Sequence, residues 1–280
     1  MKYFVLYNPQ AGSATATDKT KEVEKFFQDC EFEYIKVTDE NSYPTLFEKK
    51  QPQDGVIVCG GDGTLNRFVN AVRGKELGGK VYYYACGSGN DFLRDVAENG
   101  ERLVDMENYI KNLPTVQVNG KEYAFLNGVG FGIDGYCCEV GDALRAQTDK
   151  PVNYTGIAIK GLLFHYRPTD ATVIVDGKEY FFKKVWIAPS MNGRYYGGGM
   201  LPAPEQRREQ AKLSVTLFHG SGRLKTLMIF PSIFKGEHVK KTKNVTVLEG
   251  NEITVKFTAP RTVQIDGETV LNVTEYTVKK

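Results

Sequence analysis

Near residue 115 the apolar residues of this 280-residue chain change period, and that change limits the fold more than any single motif does. Before it, strand-like runs alternate with helical spacing. The runs are Tyr3 to Tyr7, Phe32 to Val37, Gly55 to Cys59 and Val81 to Ala85. Between them Val23, Phe26, Phe27 and Cys30 fall at i, i+3, i+4 and i+7, which predicts one face of a helix. A short helix is expected over 43–50. Another has Leu65, Phe68, Val69 and Val72 inward, and a further one starts near Phe92. Strands alternating with helices predict a doubly wound parallel sheet. Past 115, Asn119-Gly120, Asp176-Gly177 and Asp266-Gly267 each stand between strand-like runs, the strongest short-range hairpin signal. Glu249-Gly250-Asn251 predicts one more hairpin, and helices are expected over 154–166 and 222–235, the second breaking at Pro231. The expected architecture is an N-terminal doubly wound parallel α/β domain, 1–115, and a C-terminal, mostly antiparallel β-sandwich domain, 116–280.

Composition narrows the partners. With 41% hydrophobic and 25% charged residues and a net charge of +2, the chain has the profile of a soluble globular protein with no field for nucleic acid. Lys183-Lys184, Arg207-Arg208 and Lys240-Lys241-Lys243 read as solvated faces. No apolar run approaches the ~20 residues of a membrane span, and the opening run is too short for a signal-peptide core. Five cysteines, an odd number without CxxC spacing, read as reduced thiols and neither a disulfide framework nor a zinc site. A cytoplasmic location is therefore expected.

The unusual residues gather where an open parallel sheet binds ligands, beyond the carboxyl ends of its strands. The third strand runs into Gly60-Gly61-Asp62-Gly63-Thr64-Leu65-Asn66 and then a helix. Three glycines in four positions are entropically costly. They suit a loop that turns tightly and brings bare N–H groups to phosphate at a helix N-terminus. A carboxylate among those amides needs a cation beside it, so Asp62 reads as a handler of Mg²⁺, which tends to keep water in its shell. The plainer alternative is a tight turn with Asp62 capping the helix. The fourth strand ends similarly, in Cys86-Gly87-Ser88-Gly89-Asn90-Asp91-Phe92-Leu93-Arg94. Alone, Asn90 or Asp91 could be an N-cap there. Side by side, the two loops would converge Asp62 and Asp91 on one crevice suited to a nucleotide polyphosphate.

These two strings, with the early Asn8-Pro9-Gln10-Ala11-Gly12, resemble the catalytic-domain signature of diacylglycerol and sphingosine kinases and their bacterial relatives. Downstream, Phe125 to Asp134 resembles the family's second-domain segment. The run Asn192 to Gly199 with Ala203-Pro204 resembles its glycine-rich loop, and Gln264 to Glu268 its late acidic hairpin. The resemblance covers nearly the whole chain. It implies an ATP-dependent lipid kinase of the diacylglycerol type, peripheral at the membrane and touching its surface transiently, with room for a homodimer. It further implies that Asp62 and Asp91 organise Mg²⁺ and phosphates and that Asn8 and the Gly60, Gly61, Gly63, Thr64 backbone hold ATP. Asn66, Gly87, Ser88 and Asn90 belong to the same two loops. Arg94 reads equally as a phosphate contact or a surface helix residue. Glu268 is implied as the general base that takes the proton of the lipid hydroxyl; without the resemblance it reads as an exposed hairpin residue.

The chain departs from the family pattern in two places. After Ala203-Pro204 the family has two aspartates, a glycine and a third aspartate before a valine; here stand Glu209-Gln210-Ala211 and Ser214-Val215. That set contributes to a structural metal site in bacterial relatives. Another acidic position aligns with Pro114. These changes motivate a rival reading, a catalytically impaired homologue that binds nucleotide or lipid. NAD kinases share the first loop type, so an NAD-kinase-like enzyme acting on a soluble acceptor is the other rival. Gly130-Phe131-Gly132-Ile133-Asp134-Gly135 satisfies G-x-G-x-x-G, but no βαβ unit with a ribose-binding acid follows it. His165, His219 and His238 read as structural or exposed, and Leu162 to Phe164 and Leu227 to Phe230 as core rather than an acyl groove.

Overall fold

The structure, a computed structural model, describes residues 1–9, 16–38, 42–87, 89–97, 100–147 and 152–280. The chain divides into two compact units, Met1–Leu113 and Pro114–Lys280.

The first unit holds β1 (Lys2–Tyr7), α1 (Ala16–Lys21), β2 (Glu31–Lys36), α2 (Pro44–Lys49), β3 (Gly55–Gly60), α3 (Asp62–Val72), β4 (Val81–Ala85), α4 (Asp91–Val96), β5 (Leu103–Asp105) and α5 (Glu107–Ile110). Its sheet has the order β2-β1-β3-β4-β5. The first four strands are parallel, whereas β5 returns antiparallel to β4, so the sheet is mixed at that edge. All six residues of β3 are buried, the pattern of a strand covered on both faces. Helix α3 buries Leu65, Phe68, Val69 and Val72, the expected stripe.

The expected Val23–Cys30 helix face is corrected. Past Lys21 the helix tightens into a 3-10 turn over Glu22–Phe26. Val23 is buried, but Phe26 is 54% exposed. Phe27 has already turned extended, and its ring lies 4.5 Å from that of Tyr3 and 5.1 Å from that of Tyr82. The apolar spacing is satisfied by an aromatic cluster on the sheet and not by one helix.

The second unit holds β6 (Thr115–Val118), β7 (Lys121–Ala124), β8 (Gly128–Phe131), α6 (Ile133–Arg145), α7 (Tyr154–Lys160), β9 (Thr169–Val175), β10 (Lys178–Val185) and β11 (Ser190–Met191). It continues with β12 (Leu213–Phe218), α8 (Arg223–Ile229), β13 (Val245–Gly250), β14 (Glu252–Ile265) and β15 (Glu268–Lys279). Its described strand pairings are all antiparallel. The long hairpin β14–β15 is the spine. The first half of β14 pairs with β9 and the second half with β8, a bulge between Lys256 and Arg261 separating the two. The main core packs against this spine, with Phe131 and Phe257 stacked at 3.5 Å between centroids.

The Asn119-Gly120, Asp176-Gly177 and Asp266-Gly267 turns all adopt positive φ at both residues, as a two-residue hairpin of the mirror-image type requires. Glu249-Gly250-Asn251 does not close a hairpin. Strand β13 pairs with β12 and β14 with β9, so the segment passes between strands that are not partners. It is anchored by the Asp176 carboxylate, which accepts the N–H groups of Asn251 and Glu252 at 2.9 Å each. Helix α6 was not anticipated; it buries Ile133, Cys137 and Gly141 at i, i+4 and i+8. The two expected helices are present, but shorter. Helix α7 runs on as a π-helical turn, Gly161–His165, and α8 gives way at Pro231 to a 3-10 turn, Phe230–Lys235.

Candidate active site

In the first unit the strand order places β1 between β2 and β3, where the direction of winding reverses. The crevice beyond their carboxyl ends is therefore a topological switch point. Asn8, partly buried, directly follows β1, whereas Gln10–Gly12 lie outside the described residues. Strand β3 ends at Gly60, and after Gly61 alone the 11-residue helix α3 begins at Asp62. Its first turn carries orphan N–H groups and the positive end of the helix dipole.

The two glycine loops touch. A Cβ built on Gly87 would lie 2.6 Å from the Cα of Gly61, closer than real atoms approach. The Gly60 carbonyl accepts the N–H of Cys86 at 2.8 Å and of Gly87 at 3.2 Å. Buried Thr64 fills the space under the first loop, where a Cβ on Gly60 would meet its side chain at 2.5 Å. Gly63 lies in the first turn of α3, and Asn66, also buried, accepts from the Asn70 amide on the same helix. Ser88 lies outside the described residues.

The Asp62 carboxylate reaches across to the second loop. Its two oxygens accept the N–H of Asp91 at 3.0 Å and of Phe92 at 2.9 Å, the first donors of α4. It thus caps the neighbouring helix, which neither sequence alternative anticipated, while the N-cap of α3 itself is Gly61. Asn90, at φ 49°, is in the left-handed region and donates its amide to the Gly87 carbonyl at 2.6 Å. Asp91 is buried, and Arg94, about half exposed, holds its guanidinium 3.8 Å from the Asp91 carboxylate. Asp62, Gly60, Gly61, Gly87, Asn90, Asp91 and Arg94 are thereby one constellation. Two carboxylates, Asp62 partly exposed and Asp91 buried beside it, are a hard-oxygen donor set that fits a hydrated Mg²⁺ held largely by phosphate and water. Among the described residues no group of three His, Cys, Asp or Glu side chains makes a self-contained metal site.

In the second unit Glu268 is the first residue of β15, paired with Ile265 across the Asp266-Gly267 turn and partly exposed. The turn is held firmly. The Asp266 carboxylate accepts the N–H groups of Leu126, Asn127 and Gly128 at 2.5, 2.8 and 2.9 Å. The Leu126 carbonyl in turn accepts from Arg208 at 2.6 Å and from the Asn192 amide at 2.8 Å. Lys280 donates to Asn192 Oδ1 at 2.5 Å and to the Arg208 carbonyl at 2.7 Å. Burial, with the Arg208 charge beside it, lowers the Lys280 pKa to about 8. Sequence reasoning missed this network, because its members are up to 154 positions apart (Leu126 to Lys280) and no motif joins them.

Asp134 was also given no role. It sits in the first turn of α6, fully buried, and burial raises its pKa to about 7. Tyr196 donates to its Oδ2 at 3.1 Å, while Oδ1 is buried without a hydrogen-bond partner. The available signal was the Gly130-to-Gly135 string, which does form a strand-to-helix passage through Gly132 at φ 109°. It opens no βαβ unit, since β8 and β9 lie along successive stretches of β14 and are not paired with one another.

The positions that depart from the family pattern are quiet. Pro114 accepts the Phe125 N–H, Gln210 is exposed, and the Ser214 hydroxyl is buried without a partner beside a cavity of about 680 Å³. His238 is buried against Phe218, its Nε2 2.9 Å from the Pro202 carbonyl, a structural histidine as expected.

The first unit thus sets paired glycine loops at the switch point of a mixed α/β sheet, and the second unit is antiparallel β. The chain belongs to the diacylglycerol-kinase-like lipid kinase family. The family model of the diacylglycerol kinase catalytic domain matches residues 2–118, and that of the YegS C-terminal NAD kinase beta sandwich-like domain matches residues 127–277. A diacylglycerol kinase of Mycobacterium tuberculosis is 27% identical over 195 residues, covering 67% of this chain and 62% of that protein, so the match spans less than two thirds of the relative. The crystal structure of a diacylglycerol kinase from Bacillus anthracis has the same fold, with a TM-score of 0.62 at 18% identity, covering 100% of this chain and 94% of that one. No described helix is long and apolar enough to cross a membrane.

Proposed function

We propose that this protein transfers the γ-phosphoryl group of ATP to the hydroxyl of a diacylglycerol-type lipid. The observation that carries the reading is the locked pair of glycine loops, with Gly61 against Gly87 and the Asp62 carboxylate on the α4 amides. Such a pair presents the N-terminus of α3 to a polyphosphate. Mg²⁺, when bound with the nucleotide, neutralises phosphate charge next to Asp62 and Asp91. Asn8 and the Gly60–Thr64 backbone orient the nucleotide. Glu268 accepts the proton of the lipid hydroxyl as its oxygen forms the new bond to phosphorus and ADP leaves. The fixed Asp266 turn limits the freedom of Glu268, which favours a positioned base.

A second reading, a homologue that binds nucleotide without turnover, is supported by Pro114, Gln210 and Ser214, none of which supplies a carboxylate. The test is radiolabelled ATP against a panel of lipids dispersed in detergent, with NAD as a soluble acceptor and Mg²⁺ present or chelated. Labelled phosphatidic acid, dependent on Mg²⁺, is the expected result. Label on NAD alone overturns the lipid reading, and calorimetric ATP binding without product identifies the inactive one.

A further inference from the structure

Helix α8, the π-helical turn 161–165 and the end of α7 are packed together along one side of the second unit. Their inner residues are core: Leu162, Ile229 and Phe230 are buried, and the Arg223 guanidinium donates to the Leu162 carbonyl at 2.7 Å. Their outer residues are unusual. Phe164 is 72% exposed, Leu224 71% and Met228 74%, and Leu224 and Met228 stand one helical turn apart on the same face of α8. Three large apolar side chains so exposed on touching elements are not the scattered single exposures of an ordinary surface.

The segments that carry them are one-sided in charge. Residues 152–169 and 220–236 contain Lys160, Arg167, Arg223, Lys225 and Lys235 and no aspartate or glutamate. The whole chain is almost balanced, with 36 basic and 34 acidic residues, so a stretch of this length without an acid is a local feature. An apolar face edged by the exposed Lys160 and Lys225 is complementary to an anionic bilayer, where apolar side chains enter the acyl boundary and cations meet the headgroups.

We propose that Phe164, Leu224 and Met228 are the elements by which this protein docks on an anionic lipid surface, with Lys160 and Lys225 holding it there. The assignment deepens the lipid-kinase reading, because an acceptor resident in a bilayer has to be reached there, but the binding itself requires no turnover.

The test is co-sedimentation of the full chain, without ATP, with vesicles of phosphatidylcholine alone and of equal parts phosphatidylcholine and phosphatidylglycerol. Binding to the anionic vesicles is expected, falling as salt rises. The triple variant F164S/L224S/M228S is expected to lose binding at least about tenfold. K160Q and K225Q each lose about fivefold at low salt. ATP affinity and transfer to a short-chain diacylglycerol dispersed as monomers stay at the wild-type level, which also shows that the variants fold. Wild-type protein that ignores both vesicles overturns the proposal, as does a triple variant that binds like wild type. So does a dimer that the triple variant converts to monomer in sedimentation velocity, since the face would then belong to a second copy. Vesicle binding that depends on these residues, in a protein that phosphorylates no lipid, leaves the docking surface standing and overturns the kinase reading alone.

Discussion

Asp62 in the first unit and Asp266 in the second use the same chemistry for different ends. Each carboxylate gathers backbone N–H groups from a distant segment, two for Asp62 and three for Asp266. Asp266 is buried among its donors, within the turn from which β15 starts at Glu268. Asp62 is partly exposed, at the mouth of a helix and beside a second carboxylate, Asp91. The same interaction is a fastening where it is saturated and enclosed. It becomes part of a site where it is partly exposed beside a second carboxylate.

The comparison can be broken at four points. The largest effect is expected from Glu268→Gln, which keeps the shape of the residue that follows the Asp266-Gly267 turn but cannot take a proton. Single-turnover transfer to the best lipid should fall about 10²–10⁴-fold with calorimetric ATP affinity unchanged. Equal loss in both would make Glu268 a nucleotide or structural residue. Next, Asp62→Asn should slow transfer by about 10²–10³-fold, because the charge facing the phosphates is removed while much of the side chain's shape remains. Full activity in that variant would leave Asp62 with the same purely fastening role as Asp266. Third, Asp266→Ala strands three N–H groups and should cost roughly 3 kcal/mol or more in denaturant unfolding, with ATP affinity intact. A stability near wild type would mean that water replaces the carboxylate.

The smallest effect tests an acid that neither fastens nor faces a ligand. Burial raises the Asp134 pKa from 3.8 to about 7. Its folded form therefore binds more protons than the unfolded chain between about pH 4 and 7, so its contribution to stability is full below pH 4 and lost as pH rises through 7. Asp134→Asn should raise the unfolding midpoint at pH 8 and leave it nearly unchanged at pH 4. The same shift at both values would trace the change to packing and not to charge.

Local chemistry made parts of this structure legible in advance. The three Asx-Gly turns were readable because positive φ at two successive residues selects those types. The two glycine loops were readable because no other residue permits the contact of Gly61 with Gly87. Helix α6 was hidden by its own composition. Gly135, Cys137, Cys138 and Gly141 are poor helix formers, and the glycines are there for close contacts, Gly135 on the Thr262 carbonyl and Gly141 on the Tyr154 ring. The antiparallel return of β5 rests on three residues, too few to show a period. The cation network of Arg208 and Lys280 depends on partners brought close only by the fold.

The β14–β15 spine has a further consequence, for the order in which the second unit can form. Thr115 pairs with Lys279 and Val129 with Ile265, so strands from the start of the unit wait for partners from its far end. Closing such long loops must be paid before any pairing rewards it, and topologies rich in distant pairs fold slowly. In the first unit β1, β3 and β4 find neighbours within a few tens of residues. Refolding from denaturant should therefore be biphasic, a fast phase from the α/β unit and a slow one in which the sheet around the spine closes as a whole.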